Sequence, residues 1–156
     1  MRTDRTRCLI LACGNTLRGD DGVGPWLAQW ASQHFRSDPR VQVICRQQWA
    51  PELAEDIAGA EAVIFVDSAV ALDEREITAI QPVVAAERSF ALTHSFDAGT
   101  LLALAHECYG ARPRDAVLLA VRAYRMELCK DISAEAQASL PAACALLEKT
   151  VAEVLT

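Results

Sequence analysis

Several features of sequence that mark particular classes of protein are missing from this chain of 156 residues. Lys and Arg number 15 against 21 Asp and Glu, so the net charge is −6 and there is no basic footprint for nucleic acid. No apolar run approaches the roughly 20 residues that span a bilayer. The short apolar run near the amino terminus is followed by no small-residue cleavage site. We therefore expect a cytoplasmic protein that binds neither nucleic acid nor a membrane.

The cysteines lack the spacing of a metal site or a disulfide framework. No two of them form a C-x-x-C pair, so a zinc site built from them has no support in the sequence. They are scattered through apolar contexts, as buried free thiols are in a reducing compartment. We expect all six to be unpaired: Cys8, Cys13, Cys45, Cys108, Cys129 and Cys144.

The hydrophobic pattern predicts one α/β domain over residues 1–156. With 52% apolar residues, a chain of this length can build one compact core. Continuous apolar runs at 8–13, 62–66 and 116–121 alternate with helical patterns, which indicates strands covered on both faces. The expected fold is a three-layer α/β/α sandwich with a largely parallel central sheet. Weaker strands are predicted at 41–45, near an edge, and at 76–84.

Glycine is scarce, with seven in the chain, yet four of them fall between residues 14 and 24. This stretch follows the apolar run 8–13 and opens into residues of helical spacing, which predicts strand, loop and helix. Loops of this kind often cradle phosphate, but Asp20 and Asp21 stand where a phosphate loop carries Lys and then Ser or Thr. Two carboxylates suit a metal ion or a cationic group instead.

The same two carboxylates have a simpler interpretation as helix caps. Asp is among the preferred residues at a helix N-terminus, where it also complements the helix dipole. One carboxylate can cap the helix while the other stays free, and a capping Asp20 would contribute about 0.5–2 kcal/mol of stability. Taken alone, the loop favours neither interpretation for Asp20 or Asp21.

The apolar strand that leads into G-N-x-L-x-x-D-D-G-x-G resembles the amino-terminal signature of the hydrogenase maturation proteases. Members of this family trim the C-terminal extension from the precursor of the nickel-iron hydrogenase large subunit. The resemblance runs over almost the whole chain. It implies an endopeptidase, described as aspartyl-type, whose partner is that precursor, and we expect it to act as a monomer.

In that family an acidic residue of the glycine loop, an Asp after an apolar strand and a later His bind nickel or a surrogate cation. The resemblance places these roles on Asp21, Asp67 and His94, as metal ligands and as catalytic residues. The nickel would be supplied by the substrate precursor, and other divalent cations could replace it. Some members have Glu at the loop position, so the shorter Asp21 would bring its backbone closer to the metal.

The expected strand order is consistent with this ligand set. Asp21 follows the first strand and Asp67 ends the third, so both lie at one edge of a parallel sheet if those strands are neighbours. Imidazole suits nickel, zinc or iron, and carboxylates suit most divalent ions. A lone His in the position of His94, just before a helix starting near Ser95, is more often structural. Three loop residues are candidates for orienting the substrate: Asn15, Arg18 and Asp20.

The leading hypothesis is hydrolysis of one peptide bond near the C-terminus of the precursor, after nickel insertion. Either the metal or a carboxylate would activate water, and the lack of a Ser or Cys nucleophile beside a base makes an acyl-enzyme less favoured. A rival hypothesis is a non-catalytic α/β module that binds a small molecule or a metal. A third keeps proteolysis but uses Asp20 or Asp21 with Asp67 as a metal-free carboxylate pair.

Overall fold

The computed structural model describes residues 6–69, 78–86 and 97–156. Over these ranges the chain forms one five-stranded sheet in the order β2-β1-β3-β5-β4. The strands are β1 (Cys8–Cys13), β2 (Val41–Arg46), β3 (Ala62–Ala69), β4 (Thr78–Pro82) and β5 (Asp115–Arg122). The helices are α1 (Val23–His34), α2 (Leu53–Ala58), α3 (Ala98–Tyr109) and α4 (Ala134–Leu155). A single 3-10 turn, Gly19–Gly22, lies between β1 and α1.

The sheet has the three-layer arrangement that the sequence predicted. β1, β2, β3 and β5 are parallel to one another, and β4 pairs antiparallel with β5 at one edge. One face packs against α1 and α4, and the other packs against α2 and α3. The expected α/β/α sandwich with a largely parallel sheet is confirmed.

The continuous apolar runs exist because the central strands are covered on both faces. Alternate residues of a strand point to opposite sides, so Ile10 and Ala12 join the core beneath α1 and α4, while Leu9 and Leu11 join the core beneath α2 and α3. All four side chains are fully buried. Burial of this kind contributes about 1.5–3 kcal/mol for each large aliphatic side chain. β1 and β3 therefore form a rigid centre for the elements that flank them.

Several element boundaries differ from the predicted ones. The carboxylate of Asp97 accepts a hydrogen bond from the Thr100 N–H at 2.7 Å, so α3 begins at Ala98 and not near Ser95, which lies outside the described residues. Gly22 precedes α1, and no side chain caps that helix, so the capping interpretation of Asp20 and Asp21 is wrong. The 3-10 turn occupies the place where a capping residue would stand.

All six cysteines are free, as predicted, but their burial varies. Cys8 and Cys13 are buried within β1, whereas Cys108 is exposed near the end of α3. Trp26 is 40% exposed because it lies away from the face of α1 that carries Leu27 and Ala31 into the core. In the part of the chain that the structure describes, no helix has the length and apolar character to cross a bilayer.

Candidate active site

The glycine loop joins β1 to α1 by a close approach of backbone to backbone. A Cβ atom at Gly24 would overlap the carbonyl oxygen of Cys13, and one at Gly14 would overlap the carbonyl oxygen of Asp21. Side chains at these two positions would push the start of α1 away from the end of β1. The glycines therefore bring Asp20 and Asp21 back over the carboxyl end of the strand, where ligands bind in open α/β sheets.

Asp21 and Asp67 converge at this edge of the sheet. β1 and β3 are neighbours, with Ala12 opposite Val66, so the loop after β1 lies beside the last residues of β3. The hydroxyl of Ser68 donates to Oδ1 of Asp21 at 2.9 Å, and the Ser68 N–H donates to Oδ1 of Asp67 at 2.8 Å. The structure thus brings together the two carboxylates that the sequence placed at one edge.

The surroundings of Asp67 favour its protonated form. Burial raises the pKa of Asp67 to about 6, against the opposing effect of hydrogen bonds from Ser68 and Cys13, and the nearby charge of Asp21 raises it further. Desolvation and the charge of Asp67 also raise the pKa of the Cys13 thiol, which therefore stays protonated and donates to Asp67. At neutral pH the Asp67 carboxyl is close enough to its pKa to exchange a proton readily.

Asp20 occupies a different environment, although it is the next residue to Asp21. Its side chain is fully buried, with a relative exposure of 0%. Oδ2 accepts from the backbone N–H groups of Tyr124 and Arg125 at 2.7 and 2.9 Å, and from the Ser133 hydroxyl at 2.8 Å. Oδ1 accepts from the Ser133 N–H at 2.7 Å. Burial alone would raise the pKa of Asp20, but these hydrogen bonds outweigh it and hold the pKa below its usual value.

These bonds attach the segment 123–133, which follows β5, to the glycine loop. The Gly19 N–H donates to the Cys129 carbonyl at 2.8 Å, and the Cys129 N–H donates to the Leu17 carbonyl at 2.9 Å. The Asp20 N–H also donates to the Arg125 carbonyl at 2.7 Å. We call this set of contacts the Asp20 clamp. It fixes the conformation of a segment that carries no glycine or proline of its own.

The number of donors separates the two aspartates chemically. An ionised carboxylate has about four lone-pair positions, and Asp20 uses four, all on donors from the chain. Among the residues that the structure describes, Asp21 accepts two hydrogen bonds, from the Ser68 hydroxyl and from the Asn15 N–H at 2.7 Å. Asp21 therefore retains acceptor capacity for a ligand. The expectation that Asp20 contacts substrate is corrected, because its carboxylate is buried and saturated.

Asp21 and Asp67 fit the oxygen part of a cation site. With respect to the described residues, both carboxylates have acceptor capacity left, and carboxylate oxygen is a common ligand of divalent ions. Within the described ranges, no group of three His, Cys, Asp or Glu side chains is arranged to hold a metal. His94, the expected nitrogen ligand, lies outside those ranges.

The other two loop candidates remain accessible. The Asn15 side chain accepts from the Leu17 N–H at 2.9 Å, which shapes the loop, and its own N–H holds Asp21. Arg18 is exposed, and its backbone forms an isolated bridge with Cys129. Arg18 is therefore an exposed cation of the glycine loop that contains Asp21.

Three residues of this region were not identified from the sequence: Cys13, Ser68 and Ser133. Cys13 and Ser68 each lie next to a residue of the candidate site or its loop, at the carboxyl end of a strand, and this position was the available signal. Ser133 is the N-cap of α4, where its hydroxyl accepts from the Ala136 N–H. Its contact with Asp20 spans 113 positions and has no local signature.

Solved structures of hydrogenase maturation proteases share this fold. Hydrogenase maturating endopeptidase HybD from E. coli superposes with a TM-score of 0.74 at 18% identity, over 94% of this chain and 93% of that chain. The [NiFe] hydrogenase maturation protease HycI from Thermococcus kodakarensis gives a TM-score of 0.68 at 25% identity, over 98% and 94%. Hydrogenase 2 maturation peptidase from a Thaumarchaeota archaeon gives 0.62 at 22%, over 94% and 98%.

No protein-family model matches the chain, and no curated protein matches it. The structural similarity extends over nearly the full length of both chains in each of the three comparisons. The resemblance that the glycine loop indicated is therefore confirmed at the level of the whole fold.

Proposed function

We propose that this protein is an endopeptidase that removes the C-terminal extension of the nickel-iron hydrogenase large-subunit precursor after nickel insertion. The observation that carries the proposal is the convergence of Asp21 and Asp67 at the carboxyl edge of a sheet with the fold of the hydrogenase maturation proteases. The rival hypothesis of a non-catalytic binding module is not favoured by these comparisons.

In this proposal Asp21 and Asp67 bind the nickel of the precursor, together with His94. Each carboxylate offers oxygen to a divalent cation, and imidazole is an accepted ligand of nickel. Bound nickel would act as a Lewis acid on the scissile carbonyl. The role of the protein is to hold the precursor so that one peptide bond lies beside the two carboxylates, which lowers the entropic cost of the reaction.

In a version without metal, Asp67 is the proposed general base, because a carboxylate that coordinates nickel is not available to accept a proton. With a pKa of about 6 it is mostly ionised at neutral pH, and a base with a pKa near the working pH accepts a proton from water efficiently. The nearby charge of Asp21, which raises the pKa of Asp67, supports the version in which the two carboxylates share a proton and cleave without metal, as an aspartyl-type pair. A cleavage rate that survives removal of nickel from the precursor would select this second version.

The remaining parts of the proposal concern partners and compartment. Asn15 and Arg18 would orient the precursor, because both belong to the loop of Asp21, the Asn15 N–H bonds to Asp21 and Arg18 is exposed. Six free thiols are consistent with a reducing compartment, so we place the protein in the cytoplasm. We propose a monomer that approaches the precursor with the edge of the sheet where Asp21 and Asp67 lie, without nucleic acid or a membrane.

The test is incubation of the purified protein with nickel-loaded and nickel-free precursor, followed by size analysis of the precursor. The proposal expects shortening of the nickel-loaded form and none of the nickel-free form. Unfolded casein is the control and should survive, because a site completed by the substrate's own nickel is incomplete without it. Steady digestion of casein would indicate a broad protease, and an intact nickel-loaded precursor would contradict the assigned substrate.

A further inference from the structure

Ser68 contacts both carboxylates of the candidate active site. Its N–H donates to Oδ1 of Asp67 at 2.8 Å, and its hydroxyl donates to Oδ1 of Asp21 at 2.9 Å. The hydroxyl contact joins residues 47 positions apart in the sequence. A single small side chain therefore connects the glycine loop to the end of β3.

We propose that Ser68 is a positioning residue, which holds the carboxylates of Asp21 and Asp67 in the relative orientation that cleavage requires. This inference rests on the proposed function, because it concerns the same pair of carboxylates. It assigns Ser68 no contact with the reacting atoms.

The backbone of Ser68 is a fixed point from which to hold a loop residue. Ser68 lies within β3 and is paired in register with Val121 of β5. Asp21, by contrast, belongs to the 3-10 turn, and its other donor, the Asn15 N–H, comes from the same loop. The Ser68 hydroxyl is thus a link between the Asp21 carboxylate and the sheet.

The link also opposes a repulsion. Two carboxylates at close range disfavour each other's charge, and each lowers that cost by turning away from the other. Hydrogen bonds to ionised carboxylates are roughly twice as strong as those between neutral groups. Two such bonds from Ser68, one to Asp67 and one to Asp21, keep both carboxylates oriented toward that residue.

The decisive variants are Ser68→Ala, which removes the hydroxyl but keeps the N–H to Asp67, and Ser68→Thr, which restores a hydroxyl. The matched control is Ser139→Ala, which removes one buried hydroxyl that donates to the Ala136 carbonyl within α4. Cleavage of nickel-loaded precursor is measured as kcat and KM. Crystal structures of the wild type and Ser68→Ala give the orientation of the Asp21 carboxylate.

We expect Ser68→Ala to lower kcat and kcat/KM by about 10- to 100-fold with little change in KM, as when an interaction specific to the transition state is lost. Ser68→Thr should recover activity to within about threefold, and Ser139→Ala should match the wild type. Unchanged kcat in Ser68→Ala, or a folded Ser68→Thr with no recovery, would overturn the proposal. So would a loss of about 10⁶-fold, the scale seen when a nucleophile is removed.

The crystal structures separate this proposal from the proposed function. If the wild type cleaves no precursor, the proposed function fails. In that case a turned Asp21 carboxylate in Ser68→Ala still supports positioning by Ser68, whereas an unmoved carboxylate overturns it. The orientation of Asp21 is a readout that a merely stabilising hydroxyl would not change.

Discussion

The carboxylates of Asp20 and Asp21 leave the same 3-10 turn and reach opposite surroundings. Asp20 points into the protein, where four donors from the segment 123–133 saturate it. Asp21 points to the edge of the sheet beside Asp67, where the described part of the chain supplies it with only two donors. A buried and saturated charge contributes to the fold, whereas an unsaturated one is free for chemistry. The comparison indicates that the number of hydrogen-bond donors, not the position in the motif, distinguishes the buried structural Asp20 from Asp21, the candidate site residue.

The largest expected effect on stability comes from Asp20→Ala. The substitution removes the acceptor of three backbone N–H groups and the Ser133 hydroxyl, and each buried donor left without a partner costs about 1–3 kcal/mol. Because these costs are not additive, we expect a total loss of about 3–5 kcal/mol in the free energy of unfolding, measured by urea denaturation. This exceeds the 0.5–2 kcal/mol of a helix cap. A loss below about 1 kcal/mol would contradict the Asp20 clamp.

The next effect concerns Asp67 and depends on pH. A carboxyl whose pKa is raised in the folded state binds its proton more tightly there than in the unfolded chain. Its contribution to stability is therefore fully present below the unfolded pKa, near 3.8, and is lost as pH rises through about 6. The Asn side chain of Asp67→Asn cannot ionise. We therefore expect the free energy of unfolding of this variant to exceed that of the wild type by up to about 3 kcal/mol at pH 7.5.

The comparison that checks the Asp67 prediction is urea denaturation of both proteins at pH 4 and at pH 7.5. The difference in unfolding free energy between Asp67→Asn and the wild type should move in favour of the variant at the higher pH. An equal difference at both pH values would mean that Asp67 ionises as readily in the folded protein as in the unfolded chain.

The smallest predicted effect is that of Ser133→Ala. This change removes one of the four donors to Asp20 and also the hydroxyl that caps α4. Loss of an N-cap costs about 0.5–2 kcal/mol, so we expect a loss near the upper end of that range in urea denaturation. The folded variant should cleave precursor at the wild-type rate. A reduced rate per folded molecule would show that the Asp20 clamp also acts on the chemistry.

The central sheet was predictable because its signal is local. Strands such as 8–13 and 62–66 are apolar throughout, since both faces of the sheet are covered. This pattern can be recognised without knowing which strands and helices pack against them. The convergence of Asp21 and Asp67 followed from the same signal, once β1 and β3 proved to be neighbours. The apolar run ended too early, because Asp67 and Ser68 interrupt it, whereas the strand continues through three further paired positions to Ala69.

The different environments of Asp20 and Asp21 were not predictable, because they depend on contacts between distant parts of the chain. The donors to Asp20 come from residues 104 to 113 positions away. From the local sequence, Asp20 and Asp21 are equally good candidates for a helix cap, a metal ligand or a substrate contact. Ser68 was missed for the same reason, since its role depends on the loop that lies against β3.

The account's central claim is that Asp21, and not Asp20, acts in cleavage. The direct measurement is the rate of shortening of nickel-loaded precursor by folded Asp21→Asn and folded Asp20→Asn. Three of the four donors to Asp20 bond to Oδ2, so an Asn that places its carbonyl oxygen there keeps those three. We predict a loss of at least about 100-fold for Asp21→Asn and a rate within about threefold of wild type for Asp20→Asn. Wild-type cleavage by Asp21→Asn, or an equal loss in both variants, would contradict the account.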